Sequence, residues 1–218
     1  MVSSPLPKAL YEAPLSHPVI PGYAITKQEA DRLFSFFQNH SLFRWGDAKN
    51  DCEDRAHAIC LLLESWKIPA YKGWVFSGAY LKKTTGSLVN FWNYHVAAAL
   101  PVWEGSGITI YMIDPSTANH LISIHDWATL ITEDECSYYL IRKSEDYIFN
   151  QTVIKPDNWY KTNRQNYKWT IQGLAGINGV TASGKAQVIF NKTRIIKTEK
   201  AFKKLLGSNP VQSMKDHA

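Results

Sequence analysis

Cysteine is scarce: three residues in 218, Cys52, Cys60 and Cys136, with no two spaced as a CxxC pair. An odd, scattered set frames no disulfide network and offers no zinc site, and it suits a reducing compartment. Long apolar runs are missing as well. No uninterrupted stretch approaches the roughly 20 residues that span a bilayer, and the N-terminal "MVSSPLPKALYEAPLSHPVIPGY" lacks the apolar centre of a secretory signal. The expectation is a chain without a membrane span that is cytoplasmic or leaves the cell by a signal-independent route. Internal repeats and heptad runs are absent too. The sequons at Asn39, Asn150 and Asn191 read as chance matches on such a route.

What is present is apolar and aromatic side chain, 45% and 13% of residues, enough to bury a substantial core in one domain with an appendage. Lys and Arg outnumber Asp and Glu by 24 to 19, and seven of the basic residues fall in residues 185–204 beside a single acid. Such a run reads as a solvated face before it reads as a nucleic-acid or membrane surface, so no nucleic-acid partner is expected. "GVTASGKA" comes within one residue of a phosphate-binding loop. Ala186 replaces the hydroxyl that would hold magnesium, and "QVIF" after the lysine reads as a strand where a helix N-terminus is needed, so no nucleotide is expected.

Residues 1–25 carry five prolines and no periodicity, and read as an extended arm. In "TKQEADRLFSFFQNH", Thr26 and Glu29 have capping-box spacing, and Ala30, Leu33, Phe34 and Phe37 form one stripe, which predicts a helix. A second helix is predicted in "NDCEDRAHAICLLLESW". Strands follow at 70–78, 91–100, 108–114 and 136–142, with a short helix within 122–131. Helices first and strands afterwards favour α+β over alternating α/β. The expected organisation is an arm (1–25), a catalytic domain (26–150) and a C-terminal extension (151–218) packed on the core and ending in a frayed tail.

Chemistry concentrates at Cys52. On a helix turning about 100° per residue, Cys52, Ala56, Ile59, Leu63 and Trp66 share one stripe, so the thiol points from the first turn towards whatever that face packs against. Asn50 or Asp51 can cap the helix, and its free N–H groups favour a thiolate and can serve an oxyanion. The acids Asp51, Glu53 and Asp54 oppose the thiolate, so a cationic partner is needed, and an imidazolium suits. If the strands flanking Glu104 and Gly105 form a hairpin closing there, His95 faces Asp114, Ala97 faces Met112 and Ala99 faces Ile110. Opposed Cβ atoms lie about 5 Å apart, within reach of an imidazole–carboxylate bond. Asn93 and Ala97 then leave room on that face for the helix carrying Cys52.

These three residue types supply a thiolate that attacks a carbonyl carbon, a histidine that takes and returns the proton, and a carboxylate that orients the histidine, with no cofactor or metal. Each residue alone has a plainer role: Cys52 as a small buried hydrophobe, His95 as a core histidine, Asp114 as a turn-former before Pro115. Their order and register together favour catalysis. His57, about 140° round the helix from Cys52, reads as structural or surface, and Cys60 as core. His40, His120 and His125 fall at helix or loop ends, and Trp92 and Tyr94 read as packing residues on the strand face away from His95.

The blocks "DCEDRAHAI", "WNYHVA" and "IDPS", followed by "DWATLI", resemble in order and spacing the signature of the bacterial protein-glutaminase (protein-glutamine deamidase) family. The resemblance covers roughly residues 48–150. It implies a transglutaminase-like member of the papain-like cysteine hydrolases, with Cys52 as nucleophile, His95 as base and acid and Asp114 as the orienting carboxylate. The implied reaction hydrolyses protein-bound glutamine to glutamate and ammonia through a thioester on Cys52. The missing signal and few cysteines fit an effector or intracellular enzyme better than a secreted one. A transglutaminase or a cysteine protease would use the same triad, and a binding module would keep the fold without turnover.

Overall fold

The structure, a computed structural model, describes residues 9–12, 24–46, 52–77, 94–132, 136–149, 152–154, 163–177 and 185–211. Helix α1 (Lys27–Asn39) opens on the capping box that its sequence predicts. Glu29 N–H donates to the Thr26 hydroxyl at 3.2 Å, and Thr26 N–H donates to the Glu29 carboxylate at 2.9 Å. Its buried residues are the predicted stripe, Ala30, Leu33, Phe34 and Phe37. Helix α2 (Cys52–Ser65) is buried along most of its length. It ends where Lys67 adopts a positive φ of 62°, which lets Ile68 N–H reach back to Leu63 O at 2.8 Å. The expected caps Asn50 and Asp51 lie outside the described residues.

The strands are β1 (Ala9–Glu12), β2 (Ile25–Thr26), β3 (Tyr71–Ser77), β4 (Tyr94–Glu104), β5 (Gly107–Ile113), β6 (Ile122–Ser123) and β7 (Cys136–Lys143). They form one sheet in the order β1-β7-β3-β4-β5-β6. The short β2 joins β4 at Val102 and Trp103, beyond the end of β3. Pairing is antiparallel except where β1 meets β7 and β2 meets β4. A separate hairpin joins β8 (Tyr147–Phe149) to β9 (Thr152–Ile154).

Alternation along β4 divides the core in two. Ala98, Leu100 and Val102 face α1 and α2, with Leu33, Phe37, Ile59 and Leu63. Ala97 and Ala99 face the other way, onto Trp127, Ala128 and Ile131 of α3 (Ile124–Ile131). The result is α+β: helices on both faces of a mainly antiparallel sheet.

Three local expectations are corrected. The hairpin turns at Gly105 and Ser106, where Gly105 takes the positive φ of 58° that a tight two-residue turn needs, so Glu104 pairs with Gly107 and Ala98 with Ile113. The register is thus two residues from the expected one, and Asp114 does not directly oppose His95. The helix carrying Cys52 covers the face opposite His95, packing Ala56 against Trp74, Phe76 and Val96. Finally, "QVIF" is not a strand but part of the first two turns of α5 (Lys185–Leu206). Val188, Ile189 and Phe190 are exposed there, and the helix buries Asn191, Phe202 and Leu205 instead. The element before the glycine run is also a helix, α4 (Asn163–Leu174), whereas a phosphate-binding loop follows a strand. Ile171, Leu174, Phe202 and Leu205 share the α1–α2 core.

Lys72 on β3 is buried on the α2 side of the sheet. Its ammonium donates to Asp146 O at 3.3 Å and lies 3.3 Å from His57 Nδ1. Burial lowers its pKa from 10.5 to about 8, against the upward pull of Cys60, Asp146, Glu64 and Glu145. Burial, and then the Lys72 charge, push His57 well below its ordinary value, so His57 is a neutral structural partner. Because the folded value of Lys72 lies below the unfolded one, the charged form costs stability in full below pH 8, and that cost disappears as pH rises to 10.5. Lys72→Met is therefore expected to stabilise the protein by about 1–3 kcal/mol at pH 7.5. That advantage should shrink towards pH 10.5, as measured by chemical denaturation of both proteins across the range.

Candidate active site

The break in β5 makes the site. β5 ends at Ile113 opposite Ala98, so the edge of β4 from 94 to 97 is not paired with it. α2 reaches that edge with its first turn, and the Asp114 turn closes it from below. Cys52, His95 and Asp114 thereby line one narrow cleft of about 10 Å³, room for a single water, with Trp45, Arg55 and Ile59 as further wall residues. The three sequence-predicted residues are brought together, although Cys52 and His95 come from opposite faces of the sheet.

His95 is buried and bonds through Nε2 to Asp114 Oδ2 at 2.8 Å. The register shift of two explains how this survives: an even shift keeps both residues on one face, as diagonal neighbours instead of opposed ones. Asp114 is held from several sides. It accepts from the Ser116 hydroxyl, from Thr117 Oγ1 at 2.5 Å and from Trp127 Nε1 at 3.0 Å. Burial alone would raise its pKa, but the His95 ring and the two hydroxyls outweigh burial and hold the carboxyl well below the usual range. The Trp127 ring also lies against His95, with centroids 5.7 Å apart.

Cys52 is half-buried at the first residue of α2. Its thiol donates to Glu53 Oε2 at 3.4 Å, and the Val96 N–H points at the sulfur. Contrary to the expectation of a helix start that favours the thiolate, burial first and the Glu53 charge second push the thiol well above its ordinary value. Arg55 and the Val96 N–H oppose them only in part. Glu53 in turn accepts the Tyr94 hydroxyl.

Sequence reasoning missed Trp127, Ser116, Thr117 and Tyr94 as neighbours of the candidate residues and of Glu53. Ser116 and Thr117 had a local signal, hydroxyl residues two and three positions after an aspartate, which commonly bond back to it. The bonds of Trp127 and Tyr94 cross between elements and leave no spacing to read. Among the described residues, no group of three or more His, Cys, Asp or Glu side chains is placed to hold a metal ion, and no helix is long and apolar enough to cross a membrane.

Residues 30–131, which contain all three candidate residues and Trp127, match the model of a family described as glutaminase. Over this stretch, just under half of the chain, the sequence is similar to that family. No curated protein sequence matches the chain. Among solved structures it is similar to a crystal structure of protein-glutaminase, with 20% identity, a TM-score of 0.54 and coverage of 70% of this chain and 91% of that one. It is also similar to the NMR structure of protein-glutaminase from Chryseobacterium proteolyticum, with 17% identity, a TM-score of 0.51 and coverage of 76% and 97%. A crystal structure of pro-protein-glutaminase matches at 19% identity and a TM-score of 0.53, covering 79% of this chain and 66% of that one. At such identities these neighbours establish a shared protein-glutaminase fold. The family model stops at 131, so β7, the β8–β9 hairpin, α4 and α5 all lie beyond it.

Proposed function

We propose that the chain is a protein-glutamine deamidase in which Cys52 is the nucleophile, His95 the general base and acid and Asp114 its orienting partner. The observation that carries this reading is the single cleft lined by Cys52 and the buried His95–Asp114 pair, inside the segment that matches the glutaminase family. With Nε2 bonded to Asp114, His95 Nδ1 is the nitrogen that takes the thiol proton as the sulfur attacks the carboxamide carbon of a glutamine side chain. The proton passes to the departing nitrogen, ammonia leaves, and a thioester joins the side chain to Cys52. Water, deprotonated by His95, then adds to the thioester. Its collapse yields glutamate and restores the thiol. The Val96 N–H beside the sulfur is suited to bond the oxyanion of each tetrahedral intermediate.

The test is ammonia release combined with intact-protein mass on an unfolded, glutamine-rich protein. Deamidation is expected to release one ammonia for each gain of about one dalton, with the substrate chain uncut. Shortened products would indicate a protease, and cross-linked products in the presence of a lysine-rich protein would indicate a transglutaminase. Absence of all three would point to a narrow protein target or to a binding module.

A further inference from the structure

Glu53 stands directly after Cys52 in the first turn of α2, where an acid suits the positive end of the helix. That preference accounts for its residue type but not for its contacts. One carboxylate oxygen accepts the hydroxyl of Tyr94, across on β4, and the other accepts the Cys52 thiol at 3.4 Å. Tyr94 lies on the α2 side of the sheet and packs against Trp74 and Phe76, so the hydroxyl is itself held by an aromatic cluster. The carboxylate is therefore fixed at the nucleophile instead of turning to solvent. For thiol chemistry alone this is the wrong charge in the wrong place, because it opposes the thiolate.

Resting on the deamidase reading, we propose that Glu53 is the specificity-determining residue of the site, its Oε2 accepting an N–H of the glutamine carboxamide and its charge expelling the glutamate that the reaction forms. Substrate and product differ in one group. The carboxamide NH₂ carries two donors, whereas the carboxylate that replaces it carries none. A fixed acceptor within bonding distance of the attacking sulfur separates the two, rewarding the amide and setting like charges together once it has become an acid. Arg55, in the same turn, is buried over the Trp45 ring at 5.6 Å, and its influence on Cys52 is smaller than that of Glu53. A second consequence concerns the free enzyme. While Oε2 holds the thiol proton the sulfur stays unreactive, and an arriving amide N–H competes for that oxygen and frees the thiol for His95.

The test measures binding without turnover. A glutamine-containing peptide with blocked ends and its glutamate counterpart are titrated into Cys52→Ala protein by calorimetry. The glutamine peptide is expected to bind at least about tenfold more tightly, and Glu53→Gln on the same background to bring the two within about twofold, because a carboxamide at 53 can donate to the product carboxylate. Tyr94→Phe, which loosens the carboxylate without removing it, should give an intermediate ratio. In otherwise wild-type protein, Glu53→Gln should also move the alkylation of Cys52 by iodoacetamide to lower pH, a change that a purely structural role would not produce. An unchanged ratio, or no binding of either peptide, overturns the proposal. Ammonia release by the wild type decides the deamidase reading separately.

Discussion

Cys52→Ala is expected to abolish ammonia release, lowering it by at least about 10⁴-fold, while the protein keeps its fold. Loss of this size follows because, among the described residues lining the cleft, covalent catalysis has no substitute nucleophile. Cys60, eight residues on, is buried, donates to Tyr71 O at 3.4 Å and is pushed up to about 12, chiefly by burial. It cannot take over. Cys52 is only half-buried and sits at a helix start, so removing one sulfur leaves little cavity, and its melting temperature should stay within a few degrees of wild type. Turnover by the alanine variant within tenfold of wild type, with ammonia measured on purified protein, would remove Cys52 from the mechanism.

Asp114→Asn is expected to combine a loss of about 10³–10⁴-fold in turnover with a loss of about 2–4 kcal/mol in stability. The carboxylate accepts from His95, Ser116, Thr117 and Trp127 at once. An asparagine amide has one oxygen to meet these donors and turns an N–H towards one of them, favouring the wrong tautomer or rotation of His95. Acid titration provides a second signature. The folded carboxyl titrates below its ordinary value of 3.8, so its stabilisation is complete above about pH 4 and is lost as pH falls below it. The stability gap between wild type and Asp114→Asn should accordingly close on acidification. A gap that is constant from pH 6 to pH 3, by chemical denaturation, would show that the carboxylate is not held as described.

Both helices that matter at the site were legible in the sequence because their signals are local. Thr26 and Glu29 sit in one turn, and the buried stripe of α1 repeats with the helical period, whereas α2 was legible as a helix but is buried nearly all round, beyond the stripe its sequence shows. The pairing of His95 with Asp114 was also legible, for a reason that needed no accurate register. Moving the turn by one residue shifts the pairing by two, and an even shift preserves the face. The side of the sheet that α2 covers could not be read, since periodicity gives a helix its own buried stripe but not the surface it meets. The Val188–Phe190 run misled because a short stretch of β-branched and aromatic residues fits either element, and only its exposure in the folded chain decides. The thiol's environment was beyond reach for a different reason: it depends on Tyr94 holding Glu53, a contact between residues 41 positions apart.

The parallel pairing of Ala9–Glu12 with residues Cys136 to Tyr139 has a consequence for handling the protein. β7 bonds to β3 on one side, and β1 occupies its other side. At the opposite margin the sheet finishes on β6, only two residues long. A strand "CSYYLIRK", rich in β-formers, would be an adhesive border if bare, ready to recruit the same strand of a neighbouring molecule. Residues Ala9–Glu12 therefore act as a selvedge, and a chain trimmed to residue 13 or later would exchange a short covering strand for a bare border that grows by self-association.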